Sequence, residues 1–284
     1  MYDKDLVSVI IFVDKKLETV SESVKSVLNQ TYTSLEVLLC GKSADVNNEI
    51  LNDFKKKDKR VRIIDCGQAV QNTIREIGIK KASGKWIAFL DSGDRWLPAK
   101  IEAQLFVLNQ YKAKACCTNA HLYSDRKRVP LNCFSDSESG SCNFFEFSRQ
   151  NFVVYSSILV DSLLAKEYGN FFCASEEKSV GEYAFCLVIC CHTEFVYLSN
   201  TFVDCFEQST GEYLSMLHSR ECYSKALHCY IQWKKKLSGI KAAGISVIHT
   251  GQMIKFPFEM LFKYCMFRGV RVYCKMARKL KCIK

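Results

Sequence analysis

Apolar and polar residues follow two alternating periods along the first hundred positions. A continuous apolar run predicts a strand at Leu6–Val13. The segments EVLLC, RVRIID and WIAFLD predict three more strands, at Glu36–Cys40, Arg60–Asp65 and Trp86–Asp91. Helical spacing of apolar residues predicts helices between them, over residues 20–28, 46–57 and 69–80. Four strands joined by helical crossovers indicate an α/β fold with a mostly parallel sheet and helices on both faces.

Chemistry is expected where these strands end, because parallel sheets bind ligands beyond their carboxyl edge. The fourth strand ends in Asp91-Ser92-Gly93-Asp94, which places two carboxylates at that edge. Two carboxylates there suit Mg²⁺ or Mn²⁺ shared with phosphate oxygens. Alternatively, Asp91 caps the following helix and Asp94 is a solvated turn residue, since aspartate is common in both roles.

Three motifs in fixed order resemble the nucleotide-binding half of family 2 glycosyltransferases, which have the GT-A fold. They are SVLNQTY at 26–32, RxIGIKKAxGK at 75–85 and FLDSxDxWLP at 89–98. The resemblance implies a transferase that uses a nucleotide-diphosphate sugar. It also implies that the ends of the first two strands, including Phe12, Val13, Asp14 and Lys42, lie at the base and ribose. Arg75 is implied to lie near the donor, Asp91 to hold ribose and metal, and Asp94 to be a second metal ligand.

Two positions depart from the family pattern. Lys42 stands where an acidic residue normally accepts a hydrogen bond from uracil, and an ammonium group only donates. Lys42 either contacts a phosphate or is solvated. Gly93 stands where the motif usually has a metal-binding acid. A divalent metal is therefore expected to depend on Asp91 and Asp94.

The second half offers one candidate for the general base. The segment GEYAFCL at 181–187 matches the place where family members have an acidic pair at the start of a helix. The resemblance implies that Glu182 deprotonates the acceptor hydroxyl. The alternative is a first-turn glutamate that only stabilises the helix. Residues 124–141 are polar and predict a loop, while Phe195–Leu198 and Phe202–Phe206 predict two closing strands.

Charge is distributed unevenly along the 284 residues, whose formal net charge is +10. From Gln232 onward the chain has thirteen basic residues and one acidic residue, so the preceding part is nearly neutral. A nucleic-acid-binding protein that is basic throughout would not show this division. Residues 250–284 combine a broad apolar face with a basic border, which favours a helix lying in an anionic membrane surface. Packing against the body and nucleic-acid binding are the alternatives.

Residues 1–208 are thus expected to form a GT-A-like domain, divided into a nucleotide-binding half at 1–111 and an acceptor half at 112–208. Residues 209–284 are expected to form a helical basic region. The expected function is an inverting hexosyl or N-acetylhexosaminyl transfer in cell-surface polysaccharide or lipid-linked oligosaccharide synthesis. The alternative is a non-catalytic, membrane-associated partner protein. Sixteen cysteines without a C-x-x-C pair or a secretory signal indicate reduced thiols and a cytoplasmic protein. The basic segment 250–284 adds the expectation that this protein is peripheral on the membrane.

Overall fold

The structure is a computed structural model that describes residues 5–13, 17–124, 127–131, 139–147, 153–170, 178–206 and 220–236. The chain divides into two compact units, Met1–Ala226 and Leu227–Lys284. The boundary near residue 208 that the sequence favours stays a prediction. The apolar and basic segment 250–284 lies outside the described residues.

The described part alternates strands and helices in chain order. The strands are β1 Val7–Phe12, β2 Leu35–Gly41, β3 Val61–Asp65, β4 Trp86–Asp91, β5 Arg95–Trp96, β6 Ala115–Ser124, β7 Lys127–Leu131, β8 Gly140–Cys142, β9 Leu159–Asp161 and β10 Phe195–Phe206. The helices are α1 Leu17–Leu28, α2 Ser43–Val46, α3 Glu49–Lys57, α4 Gln71–Lys81, α5 Lys100–Tyr111, α6 Phe144–Phe147, α7 Ser162–Tyr168, α8 Lys178–Ile189 and α9 Arg220–Lys236. A 3₁₀ turn, Tyr155–Ser157, precedes β9.

One mixed sheet organises these elements in the order β3-β2-β1-β4-β9-β6-β10-β5. The first four strands are parallel, as the sequence predicts, and β9 joins β4 to β6 in antiparallel orientation. Because β9 is antiparallel to both neighbours, β6 and β10 run in the same direction as β4. The carboxyl ends of all these long strands therefore lie at the same edge of the sheet.

Two layers of helices cover the sheet. On one side, α1, α3 and α5 pack against Val9, Val37 and Leu90 and form the main apolar core. On the other side, Ile10 and Cys40 approach Gly78 of α4, where an added Cβ would lie 2.8 Å from Ile10. This close approach explains why a glycine occurs in the middle of α4, and it sets α4 tightly against the sheet.

Three predicted elements differ from the observed ones. The helix predicted over 46–57 begins three residues later, at Glu49, because the Asn48 side chain accepts a hydrogen bond from Leu51 N–H and starts α3. Of the predicted range, only Val46 belongs to the preceding helix α2. The predicted loop 124–141 contains β7 and the start of β8, which pair with β6 and β10. The two predicted closing strands are one strand, β10, whose register shifts between Leu198 and Val203.

None of the helices in the described part of the chain is long and apolar enough to cross a membrane. The helical basic region that the sequence predicts over 209–284 includes α9, whereas residues 209–219 and 237–284 lie outside the described part.

Candidate active site

The candidate site is built at the carboxyl edge of the parallel strands. Register pairs Phe12, the last residue of β1, with Asp91, the last residue of β4, and with Cys40 of β2. Val13 is fully buried and donates its backbone N–H to the Cys40 carbonyl at 2.8 Å. Lys42 follows β2 at the same edge and is exposed. Asp14 lies outside the described residues.

Arg75 of α4 joins two of the predicted site residues. Its Nη2 atom lies 2.9 Å from Asp91 Oδ1 and 2.9 Å from Glu182 Oε1, and its side chain is only 1% exposed. Asn72, one turn earlier in α4, accepts a hydrogen bond from Nη1 at 3.2 Å. The chain folds α4 and α8 against the same side of the sheet, so residues 91 positions apart share one guanidinium. This group, Arg75, Asp91 and Glu182, is called the arginine cluster below.

Aromatic rings enclose the guanidinium. Its central carbon lies 4.5 Å from the centroid of the Tyr155 ring and 5.9 Å from that of Phe12. Burial by itself lowers the pKa of Arg75, but the electrostatic influence of Tyr155, Glu182 and Asp91 outweighs burial and raises the pKa above its usual value. Arg75 is therefore cationic, and the arginine cluster has a net charge of −1.

Asp94 contacts protein groups through both carboxylate oxygens. Oδ2 accepts a hydrogen bond from the Ser156 hydroxyl at 2.5 Å, and Oδ1 accepts one from Phe206 N–H at 3.2 Å. The Asp94 carbonyl accepts a third from the Ser23 hydroxyl at 2.7 Å. Asp94 thereby connects the turn after β4 to α1, to the 3₁₀ turn and to the end of β10.

Gly93 has a backbone φ of +98°, in the region that favours glycine. Its N–H donates to the Ser23 hydroxyl at 3.0 Å, which holds the turn against α1. An aspartate at position 93 would be strained in this backbone conformation. The conformation therefore agrees with a glycine where the family motif usually has an acid.

The two-carboxylate metal site that the sequence predicts stays a prediction, and in the structure both of its members have protein partners. Asp94 already accepts hydrogen bonds at both oxygens, and one Asp91 oxygen is paired with a fixed cation, Arg75. In the described part, no group of three or more His, Cys, Asp or Glu side chains is arranged to hold a metal ion.

Comparison with known proteins identifies the family of the region that contains the carboxyl edge of the parallel strands. Residues 8–146 match the sequence profile described as Glycosyl transferase family 2. Residues 8–146 belong to glycosyl transferase family 2. The resemblance that the three motifs indicate is thus confirmed.

Relatives of the glycosyltransferase region match it over part of their length. An uncharacterized glycosyltransferase of Rickettsia bellii is 41% identical over 99 residues, which are 35% of this chain and 14% of the relative. The Escherichia coli UDP-Glc:alpha-D-GlcNAc-diphosphoundecaprenol beta-1,3-glucosyltransferase WfaP is 34% identical over 125 residues, which are 43% of this chain and 48% of the relative. The chain thus spans less than half the length of these two relatives.

A solved structure is similar in fold to this chain over more than the matched region 8–146. The S. aureus TarS structure with UDP-GlcNAc superimposes with a TM-score of 0.64 over 88% of this chain and 73% of that chain, at 14% sequence identity. At this identity the likeness concerns the fold. It confirms the predicted α/β, GT-A-like architecture.

Glu182 differs in position from the expectation for this family. The described helix α8 starts at Lys178, and its first turn contains no acidic residue. The expectation that Glu182 occupies the first turn is therefore wrong. Because helix-dipole effects fade beyond the first turn, Arg75 is the group that favours the ionised carboxylate.

Two residues of the candidate site are missing from the sequence predictions. Tyr155 packs on Arg75, and the Ser156 hydroxyl joins Asp94 to Asp91 by accepting the Asp91 N–H at 3.0 Å. Both lie in the largely apolar run VVYSSILV at 153–160, which contains none of the site residues predicted from the sequence. The pair of serines inside this apolar run is the feature that could have predicted such contacts, because buried hydroxyl groups need hydrogen-bond partners.

Proposed function

We propose that this glycosyltransferase moves a sugar, with inversion, from a nucleotide-diphosphate sugar to a hydroxyl of a glycan or lipid-linked acceptor. The observation that carries the proposal is the arginine cluster, in which Arg75 bridges Asp91 at the donor edge and Glu182 on α8. The E. coli relative is named for a UDP-Glc donor and a diphosphoundecaprenol-linked acceptor, and the TarS structure contains UDP-GlcNAc. These names support a hexosyl or N-acetylhexosaminyl donor here.

Glu182 acts as the general base in this proposal. Its carboxylate takes the proton of the acceptor hydroxyl while that oxygen attacks the anomeric carbon from the side opposite the diphosphate. The new C–O bond forms as the bond to the diphosphate breaks, and the electron pair leaves with the diphosphate. Arg75 keeps Glu182 ionised and oriented, so no covalent intermediate on the protein is needed.

The donor is proposed to lie along the edge formed by β1, β2 and β4. Phe12, Val13 and Asp14 would line the base and ribose, and Asp91 would accept hydrogen bonds from ribose hydroxyls. Lys42 is exposed at this edge, where an ammonium group is suited to a diphosphate oxygen. A divalent metal remains a prediction to be tested by adding Mn²⁺.

The Glu182→Gln variant tests the base. We expect sugar transfer to fall at least about a hundredfold, because glutamine cannot take a proton and general-base catalysis contributes at least that factor. Glu194→Gln, which changes an exposed glutamate in the same half, is the matched control and should retain activity. Transfer is measured with UDP-Glc and UDP-GlcNAc, with and without Mn²⁺.

Unchanged turnover of Glu182→Gln would contradict the base assignment. The departures from the family pattern at Lys42 and Gly93 favour a second possibility, a non-catalytic partner protein that has lost donor binding. Thermal unfolding separates the two, because a ligand that binds only the folded chain raises the unfolding temperature. No shift with UDP-, GDP- or dTDP-sugars, with or without Mn²⁺, would favour the partner protein.

A lipid-linked acceptor would require the chain to act at a membrane surface. Residues 250–284 are proposed to bind anionic lipids at the cytoplasmic face, because their basic residues border a broad apolar face. Nucleic acid is not among the proposed partners, since the charge outside the last fifty residues is close to neutral.

A further inference from the structure

A second group of polar and aromatic side chains lies on β5, β6 and β10, apart from the arginine cluster. Register places His121 opposite Asp204, Tyr123 opposite Phe206, and Arg95 opposite Asp204. Directly opposed residues point to the same face of a sheet, so the five side chains share one face. These five residues are called the strand-end face.

Contacts within the strand-end face hold its side chains in place. The Tyr123 and Phe206 rings are stacked, with centroids 4.6 Å apart and planes 15° apart. The Arg95 guanidinium carbon lies 4.6 Å from the Phe206 centroid. His121 Nδ1 lies 3.3 Å from Asp204 Oδ1, and such a carboxylate orients an imidazole ring.

The β6 and β10 members of the strand-end face lie on the same side of the sheet as α8, whereas Arg95 on β5 also approaches α1, with Nη2 3.8 Å from Glu22 Oε2. Ala120, Leu122 and Val203 belong to the main core on the α1 side, so strand alternation points their neighbours to the opposite side. The same alternation points Phe89 away from that core, and its ring meets the Phe185 ring of α8 at 6.0 Å. The helix that contains Glu182 therefore packs on the sheet side to which the strand-end face points.

The strand-end face also lies at the same edge of the sheet as Asp91. Its members on β6 and β10 are in the last part of each strand, and these strands are parallel to β4. Phe206 N–H donates to Asp94, which connects the face to the turn that follows Asp91. The face thus shares a sheet side and an edge with the proposed base.

The chemistry of this face suits a sugar ring. Phe206 is 39% exposed and the Arg95 side chain 45% exposed, while His121 and Asp204 are mostly buried. Guanidinium, imidazole and carboxylate groups can hydrogen-bond to neighbouring hydroxyls, and aromatic rings pack against C–H groups. Aromatic lining with a few oriented polar groups is typical of a small-molecule site.

We propose that the strand-end face binds the uncharged pyranose ring of the acceptor and presents its hydroxyl to Glu182. This inference rests on the proposed function, because it assigns the acceptor of that same reaction. The face is a binding surface, and none of its residues takes part in the proton transfer.

The Phe206→Ala and Phe206→Leu variants test the face, with methyl α-N-acetylglucosaminide and methyl α-glucoside as acceptor probes. Both variants should raise the KM for the acceptor at least about tenfold, whereas the KM for the UDP-sugar and its hydrolysis without acceptor should stay unchanged. Phe206→Leu keeps an apolar side chain, so a shared effect excludes loss of folding. Phe106→Ala, which removes a phenylalanine of α5 that is 64% exposed, is the matched control.

Binding of the same probes without donor, followed by saturation-transfer NMR, separates this inference from the proposed function. A pyranoside that binds the unaltered chain and fails to bind Phe206→Ala supports the face even if no transfer occurs. An unchanged acceptor KM, a raised KM for the donor, or binding of N-acetylglucosamine 1-phosphate alone would each overturn it. Absence of hydrolysis and transfer with intact pyranoside binding would contradict the proposed function only.

Discussion

Arg75 shows how a single buried residue organises this site. Removing a guanidinium from water is costly, and two carboxylates and two aromatic rings offset that cost. The arrangement couples the donor edge to the proposed base, since neither carboxylate can move without changing its contact with Arg75. The family resemblance of the motif RxIGIKKAxGK predicts that Arg75 lies near the donor, but its contact with Glu182 depends on how α8 packs.

Lys100, at the start of α5, is a second buried basic residue with different surroundings. Its Nζ donates to Gln104 Oε1 at 2.7 Å and lies 4.0 Å from the centroid of the Trp96 ring. Burial lowers the pKa of Lys100 to about 7, although Cys116 and Cys117 oppose the shift. In the unfolded chain the pKa of a lysine is near its ordinary value, about 10.4.

The Lys100→Met variant is expected to alter how stability depends on pH. Between about pH 7 and 10.4 the unfolded chain binds the lysine proton and the folded chain does not, so the contribution of Lys100 to stability rises with pH. The difference in unfolding free energy between unaltered chain and variant should grow by about 1.4 kcal/mol per pH unit in this window, and stay flat below it.

Urea unfolding at several pH values measures this difference. Lys25→Met, which removes an exposed lysine of α1, is the control and should give a curve parallel to that of the unaltered chain. Parallel curves for Lys100→Met would show that Lys100 stays protonated in the folded chain.

Among the secondary-structure elements, the turn between β4 and β5 links two parts of the sheet. It joins a strand of the donor edge to the short strand that pairs with β10, and Ser23, Ser156 and Phe206 hold it by hydrogen bonds. The turn therefore fixes the position of Asp91 and that of the strand-end face. The positive φ of Gly93 is the conformation that makes this path possible.

The Gly93→Ala variant should lower the free energy of unfolding by about 1–3 kcal/mol, the usual cost of a side chain at such a φ. An added Cβ would lie 3.7 Å from Thr19, an ordinary contact, so the loss reports backbone strain and not a clash. Chemical denaturation measures it, with Ser92→Ala in the same turn as the control. Equal stability of the two variants would mean that the turn adopts another conformation.

At the scale of the whole molecule, the sheet joins the proposed donor edge to the proposed acceptor face. β9 connects the parallel strands β1–β4 to β6 and β10, so both halves present their carboxyl ends at one edge. The basic segment 250–284 lies outside the described residues, and its role is a matter for experiment.

Deleting residues 250–284 is expected to abolish binding to vesicles that contain anionic lipid, because the deletion removes most of the excess positive charge. Co-sedimentation with anionic vesicles measures the binding, and vesicles of neutral lipid are the control. Cooperative unfolding of the rest of the chain should be retained. Aggregation or loss of the thermal transition would instead show that the segment packs as core.

The sequence by itself determined the first half of this fold and the family of residues 8–146. Strand runs, helical spacing and the three ordered motifs are local signals, and local signals suffice where strands and crossovers alternate regularly. They also placed Phe12, Lys42 and Asp91 at one edge, because parallel strands end together. The first-turn position of Glu182 and the loop at 124–141 were wrong, because a helix start and strand pairing depend on contacts with distant segments.

Only the tertiary structure decided which residues meet. Arg75 and Glu182 are over a hundred positions apart, and Tyr123 and Phe206 are nearly as distant, so no spacing along the chain reveals either contact. The hydrogen bonds that occupy Asp94 likewise come from segments remote in sequence. The physical reason is that the type of a residue determines which groups its side chain is able to bind. The packing of the sheet and its helices determines which groups lie close enough to that side chain to be bound.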